Sequence, residues 1–141
     1  MINIENYIID LIANSLSDIT VLSDYVDMPP EFPCVTVIED SNISAQTFDN
    51  ASRTENHADL LYSVNVYSNL VSGAKAQAKG IMDRIDAILE NLKFERIMCQ
   101  PMPNVDRTIY RYTARYRVRV GKGVTTTSDN VTTTTYQTFR E

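Results

Sequence analysis

Histidine occurs once in the 141 residues, as His57, and cysteine twice, as Cys34 and Cys99. With one imidazole and no C-x-x-C pair, the chain lacks the ligand spacing of a zinc site. His57 closes a polar stretch, where an ordinary solvated side chain is the expectation. Two cysteines in segments that read as strands are expected as buried thiols of a reducing compartment, not as a disulfide. No apolar run approaches the length of a membrane span. The opening "MINIENYIID" carries Glu5 and Asp10 where a secretory leader needs positive charge, so none is expected there. Positive charge is itself scarce: the formal net charge is −5. That balance argues against a general nucleic-acid binder, whose domain charge is usually basic.

Against this acidic background stands "RTIYRYTARYRVRVG", residues 107–121. Arg107, Arg111, Arg115, Arg117 and Arg119 all occupy odd positions, and removing these five unit charges would take the net charge from −5 to −10. Tyr110, Tyr112, Ala114, Tyr116, Val118 and Val120 occupy the even ones. Period two is the period of a strand, so the arginines share one face and the tyrosines and valines the other. The basic face has three readings: a solvated strand kept soluble by charge, a strip that meets acidic surfaces of a neighbouring subunit, or a nucleic-acid surface. Stacking platforms need aromatics and cations on one surface, and here they face apart, which counts against the third.

A hydrophobic fraction of 43% and a charged fraction of 22% are ordinary for one globular domain of this length. Residues 2–16 place Ile4, Ile8, Leu11, Ile12 and Leu16 on one helical face. "DITVL" (18–22) suits a short strand, "SDYVDMPPEFP" a loop with three prolines, and "CVTVIED" (34–40) a strand. Residues 41–57 are polar and long for a connection, so an arm that touches a neighbour is expected, with Phe48 and Arg53 as contact candidates. "ADLLYSVNVYS" (58–68) alternates and should pair antiparallel with 34–40. Residues 72–94 carry a 3.6-residue period from Ala74 to Leu92, with Ser72 expected as cap. A strand at 95–100 and the turn "PMPNVD" lead into the arginine strand.

The expected fold is therefore α+β: one mainly antiparallel sheet with two helices packed on one face, spanning residues 1–121. Residues 122–141 form a threonine-rich extension with eight threonines. "VTTT-SDN-VTTT" can close a hairpin, yet one with too little apolar surface to stand alone. The extension is expected to order on a partner, with Val124, Val131, Tyr136 and Phe139 as anchors.

No catalytic constellation appears. "GAKAQAKG" lacks the G-K-[ST] ending of a phosphate loop, and Asp83, Asp86 and Glu90 suit a solvated helix face balanced by Arg84 and Lys93. An enzyme is not expected, and neither a cofactor nor a metal is assigned.

The element order resembles that of the tail terminator, or tail completion, proteins that join the tails of long-tailed bacteriophages to their heads. The likeness covers residues 1–121: an amphipathic first helix, a proline-broken loop into "FPCVTVIED" (32–40), a long hairpin, a second helix, and a closing strand of tyrosine and arginine. What the resemblance implies is a non-catalytic virion protein, made in the host cytoplasm and placed at the head–tail interface. Such a protein forms a ring, usually hexameric, on the tail tube, stops its polymerisation and meets the head connector. Its partners would be copies of itself, the tube protein and the connector, with genomic DNA passing through the lumen. An acidic wall suits that passage, since like charge repels phosphates. Acid-rich loops (Asp24, Asp27 and Glu31; Glu39 and Asp40) would complement the arginine strip across a ring contact. A head-side connector or neck protein, and a small nucleic-acid-binding domain using the Arg107–Arg119 strand, are the alternatives.

Overall fold

The computed structural model describes residues 3–26, 28–44, 57–104, 106–128 and 131–139; of residues 44, 122–128 and 131–139 it describes the backbone alone. Helix α1 (Glu5–Ser15) is followed by β1 (Thr20–Leu22), β2 (Cys34–Ser44), β3 (His57–Ser68), α2 (Ala74–Asn91), β4 (Glu95–Met102), β5 (Tyr110–Ser128) and β6 (Val131–Phe139). The strands form one sheet in the order β1-β2-β3-β5-β4, with β6 also on β5. All pairs are antiparallel except β1–β2. The fold is α+β, as the periodicities indicate.

Residue parity decides the core. Register sets Ala58 opposite Val120, Leu60 opposite Val118, Tyr62 opposite Tyr116 and Val64 opposite Ala114. This face gathers Ile4, Ile8, Ile12 and Leu16 from the first helical segment and Ala78, Ile81, Met82, Ile85 and Leu89 from α2 into one apolar cluster. Burying such side chains contributes about 1.5–3 kcal/mol each before entropy is counted. Tyrosine is tolerated there because its hydroxyl leaves the core at a carboxylate. Tyr116 donates to Asp86 on α2 at 2.9 Å, and Tyr62 donates to Glu39 on β2 at 3.3 Å. Burial, and then the neighbouring carboxylates, push both phenols above their ordinary range.

The parallel β1–β2 pair needs its connection to cross a sheet face. Loop 23–33 does so on the arginine side, where Leu22, Val26 and Phe32 pack on Cys34, Tyr67 and Ile109. Cys34 is thus a buried free thiol, raised by burial and by Glu31.

The ends of α2 differ from the sequence expectation. Ser72 does not cap it: Gly73 occupies the N-cap position at φ 85°, and no side chain bonds the free N–H groups. In that left-handed conformation a glycine is accommodated without the penalty of a Cβ, and the helix starts one residue later than a serine cap would set it. At the other end Lys93 takes φ 69°. Its N–H reaches the Glu90 carbonyl at 2.9 Å, and Phe94 N–H reaches Leu89 at 3.0 Å. This is a Schellman closure, with Phe94 and Leu89 both buried beneath it. A lysine held at positive φ bears a steric cost that glycine does not. Lys93→Gly is therefore expected to stabilise the fold by about 0.5–1 kcal/mol in urea unfolding, and an unchanged or lower midpoint refutes this account of the helix end.

Candidate interface: the arginine face and the terminal hairpin

β5 is central, and its odd residues form the sheet face away from the helices. Four of the five sequence-identified arginines, Arg111, Arg115, Arg117 and Arg119, lie on it. Arg107 does not. It sits exposed in the turn before β5, where Asp106 Oδ1 accepts from Thr108 N at 2.9 Å and Thr108 Oγ1 at 2.6 Å. The Asp106 side chain captures the backbone and delays the strand to Tyr110.

The four strand arginines are met from within the sheet. Arg119 forks onto Asp59, its cross-strand neighbour, with contacts of 2.7 and 3.0 Å. Arg117 donates to Glu95 on β4 at 2.9 Å, again directly across the ladder. Arg115 reaches Asp40 at 3.3 Å. Asp40 belongs to this face because β2 is irregular there: Glu39 pairs with Tyr62, and Ser41 already pairs with Leu61. The extra residue of that bulge turns Asp40 toward Arg115 and Ser63, whose hydroxyl also donates to it. Arg111 donates to Asn65 Oδ1 at 3.0 Å and lies 5.8 Å from the Tyr67 ring centre. Asn65 accepts from Thr113 as well, at 2.6 Å. The strip is an ion-pair lattice across four strands, and its positive charge is largely spent internally. Arg115 and Arg117 keep side chains 44% and 51% exposed and can still reach outward, whereas Arg119 is 16% exposed.

The second element is the terminal hairpin. β5 continues without a break through Gly121, the boundary drawn from sequence, to Ser128. β6 pairs back from Ser128↔Val131 to Arg119↔Phe139, with an irregularity between Lys122 and Thr125. The "VTTT" repeats do pair: Thr125, Thr126 and Thr127 stand opposite Thr134, Thr133 and Thr132. Of the anchor candidates, Val124 lies on β5 and Val131, Tyr136 and Phe139 on β6. The expected arm at 45–56, with Phe48 and Arg53, and the acid Asp27 lie outside the described residues.

Sequence inspection of β5 missed the cations that join its tyrosines on the helix side. Lys79 of α2 stands 5.8 Å from the Tyr112 ring, and Tyr110 stacks on Tyr112 at 6.4 Å. Arg96 of β4 pairs with Asp86 at 3.5 Å. Lys79, Arg96, Cys99 and Tyr112 line a shallow cleft between α2 and β4 together with Asp83 and Met82. No three metal-ligating side chains gather among the described residues. No helix of the described residues is long and apolar enough to cross a membrane.

Glu39 shares the helix-side face with Tyr62. Burial and then the charge of Glu5 raise its carboxyl, against the donors Tyr62 and Asn42. A carboxyl raised in the fold binds its proton more tightly than in the unfolded chain. Its contribution is complete below the unfolded value, about 4.3, and is lost as pH rises through the folded one. Glu39→Gln should therefore be at least as stable as the parent at pH 7 and should lose that advantage below pH 4. A variant destabilised only at neutral pH contradicts this sign. For the lattice, Arg119→Ala should cost about 1–2 kcal/mol, with most of the loss shared with Asp59 in a double-mutant cycle. Arg107→Ala should stay within about 0.5 kcal/mol of the parent. Equal costs at the two positions would show that the lattice contributes nothing.

No protein-family model matches the chain and no curated protein matches it, so the functional reading rests on its residues and geometry.

Proposed function

We propose that this chain is a structural virion protein that closes the tail tube of a long-tailed bacteriophage as a ring, hexameric as in the proteins its element order resembles, and joins the tail to the head connector. The observation that carries the proposal is the arm made by β5 and β6. The central strand of the sheet runs on past its last β3 partner, Gly121↔His57, and folds back as a threonine-rich hairpin. An arm rooted in the middle of a rigid core is suited to hold a neighbour in fixed orientation. The described clefts are shallow, and the polar face is spent on internal pairs. Both features fit assembly better than catalysis, and the proposal assigns no enzyme activity, cofactor or metal.

The lattice also weighs against the nucleic-acid alternative. Arginines already seated on Asp40, Asp59, Glu95 and Asn65 would have to leave those partners to reach phosphates. Under the proposal DNA passes the ring without specific contact, and the partners are further copies, the tube protein and the connector.

Removing residues 122–141 tests it. The apolar side chains of α1, α2, β2 and β3 already pack with Ala114, Tyr116, Val118 and Val120 of β5 into one core cluster, so the truncated chain should still unfold cooperatively. In particles carrying only that chain, electron microscopy should show tails of uncontrolled length without heads attached. Tails of normal length joined to heads would overturn the proposal.

A further inference from the structure

β3 holds one edge of β5 from Tyr110 to Gly121, and β4 holds the other from Arg111 to Arg117. β6 starts pairing at Arg119, where β3 still occupies the first edge, so β6 lies end to end with β4 along the second. The outer edges of these two strands are unpaired among the described residues, and they are built differently. β4 carries Glu95, Arg96 and Pro101 and is broken by an irregularity at Ile97, all devices that discourage a further strand. β6, "VTTTTYQTF", has no charge, no proline and no irregularity of its own. It is an edge with nothing to keep another strand away. Beyond Gly121 the described residues give it β5 as its one partner, and a two-stranded ribbon is marginal in water until further strands join it.

We propose that this edge pairs with the same edge of a second copy, antiparallel about a two-fold axis through Thr135. That register sets Thr132 opposite Thr138, Thr133 opposite Gln137, Thr134 opposite Tyr136 and Val131 opposite Phe139. All are uncharged pairs, and every member except Gln137 is of a type that favours sheets. The other edges unpaired among the described residues are short or interrupted: β1 has three residues, β2 beyond Thr36 carries Glu39, Asp40 and a bulge, β4 is blocked, and β5 beyond Gly121 carries Lys122 and an irregularity. The geometry leaves room for both copies. Phe139 joins β6 to its own domain, and the antiparallel register carries the partner's domain to the far, hairpin-tip end. The four-stranded ribbon β5-β6-β6-β5 then separates the two sheets. The pair is a state of free subunits and does not rest on the ring proposal, because ring closure needs a head-to-tail contact instead of a two-fold one.

Charge exchange tests the register on the full-length chain. The parent should sediment as a dimer. A Thr133→Lys, Gln137→Lys variant faces itself with two like-charge pairs and should dimerise at least about tenfold more weakly, as should the corresponding Thr133→Glu, Gln137→Glu variant. An equimolar mixture should recover a dimer containing one copy of each, which also shows that both variants are folded. A parent that stays monomeric, variants that dimerise as well as the parent, or a mixture that fails to recover would each overturn the proposal. Tail length and head attachment play no part in these readings, so the ring proposal stands or falls separately.

Discussion

The pairing of β3 with β5, unbroken from Ser68↔Tyr110 to His57↔Gly121, is the constraint from which the rest of the molecule follows. Because strand side chains alternate, the register assigns two faces at once. The even residues become the floor beneath the helices, and the odd ones become the ion-pair lattice. A slip of one residue would carry Arg115, Arg117 and Arg119 under the helices and lift Tyr116, Val118 and Val120 into water. Burying even one unpaired guanidinium costs several kcal/mol, comparable with the stability of a whole domain. The hydrophobic pattern and the charge pattern therefore select the same register, which is the consistency expected of a sequence that specifies one structure. Irregularity lies outside this pairing, where β2 bulges at Asp40, β4 at Ile97 and β5 beyond Lys122.

Charge is handled by the same pairing. An acidic chain concentrates arginine on one strand and then supplies the acids from β2, β3 and β4 that surround it. Exposed pairs of this kind contribute little singly, but the Arg119–Asp59 fork is partly sheltered and two-pronged. With most of the strip's positive charge neutralised locally and a formal net charge of −5, a ring of the proposed kind would repel the phosphates of passing DNA. The same economy appears in the core. Tyr62 and Tyr116 fill volume with their rings and place their hydroxyls on Glu39 of β2 and Asp86 of α2.

The elements were legible in the sequence wherever one local period ruled. The 3.6-residue pattern of α2 and the two-residue patterns of β3 and β5 mark both the elements and their buried faces, and the antiparallel β2–β3 pair follows from them. The partners of the arginines were not legible. Asp59 precedes Arg119 by sixty residues, and only the β3–β5 register brings them together. Asp40 is harder still, because its face is set by a bulge that alternation cannot reveal. Arg107 keeps the odd parity yet leaves the strand, since Asp106 offers the backbone a competing turn. Ser72 is a good capping residue in isolation, but the neighbouring Gly73 takes the conformation that ends the connection from β3. In each miss a local signal met a competitor that lies outside its own window.

The terminal hairpin shows the opposite relation between sequence and structure. Threonine has high strand propensity and little core-forming power, so composition indicates extended backbone without indicating a partner. The partner for half of each strand is supplied within the chain: β5 extends beyond the domain and β6 returns along it. Each added strand of an open sheet creates a new outer edge, and protection must then come from sequence or from another chain. β4 is protected by sequence, with charges, a proline and a bulge. β6 carries none of these along its length. Two strands that share one edge of β5 thus face different fates, and the difference lies in their side chains, because the backbone treats them alike. The guarded half of the edge runs along the folded domain, and the unguarded half is the one the proposed pairing uses.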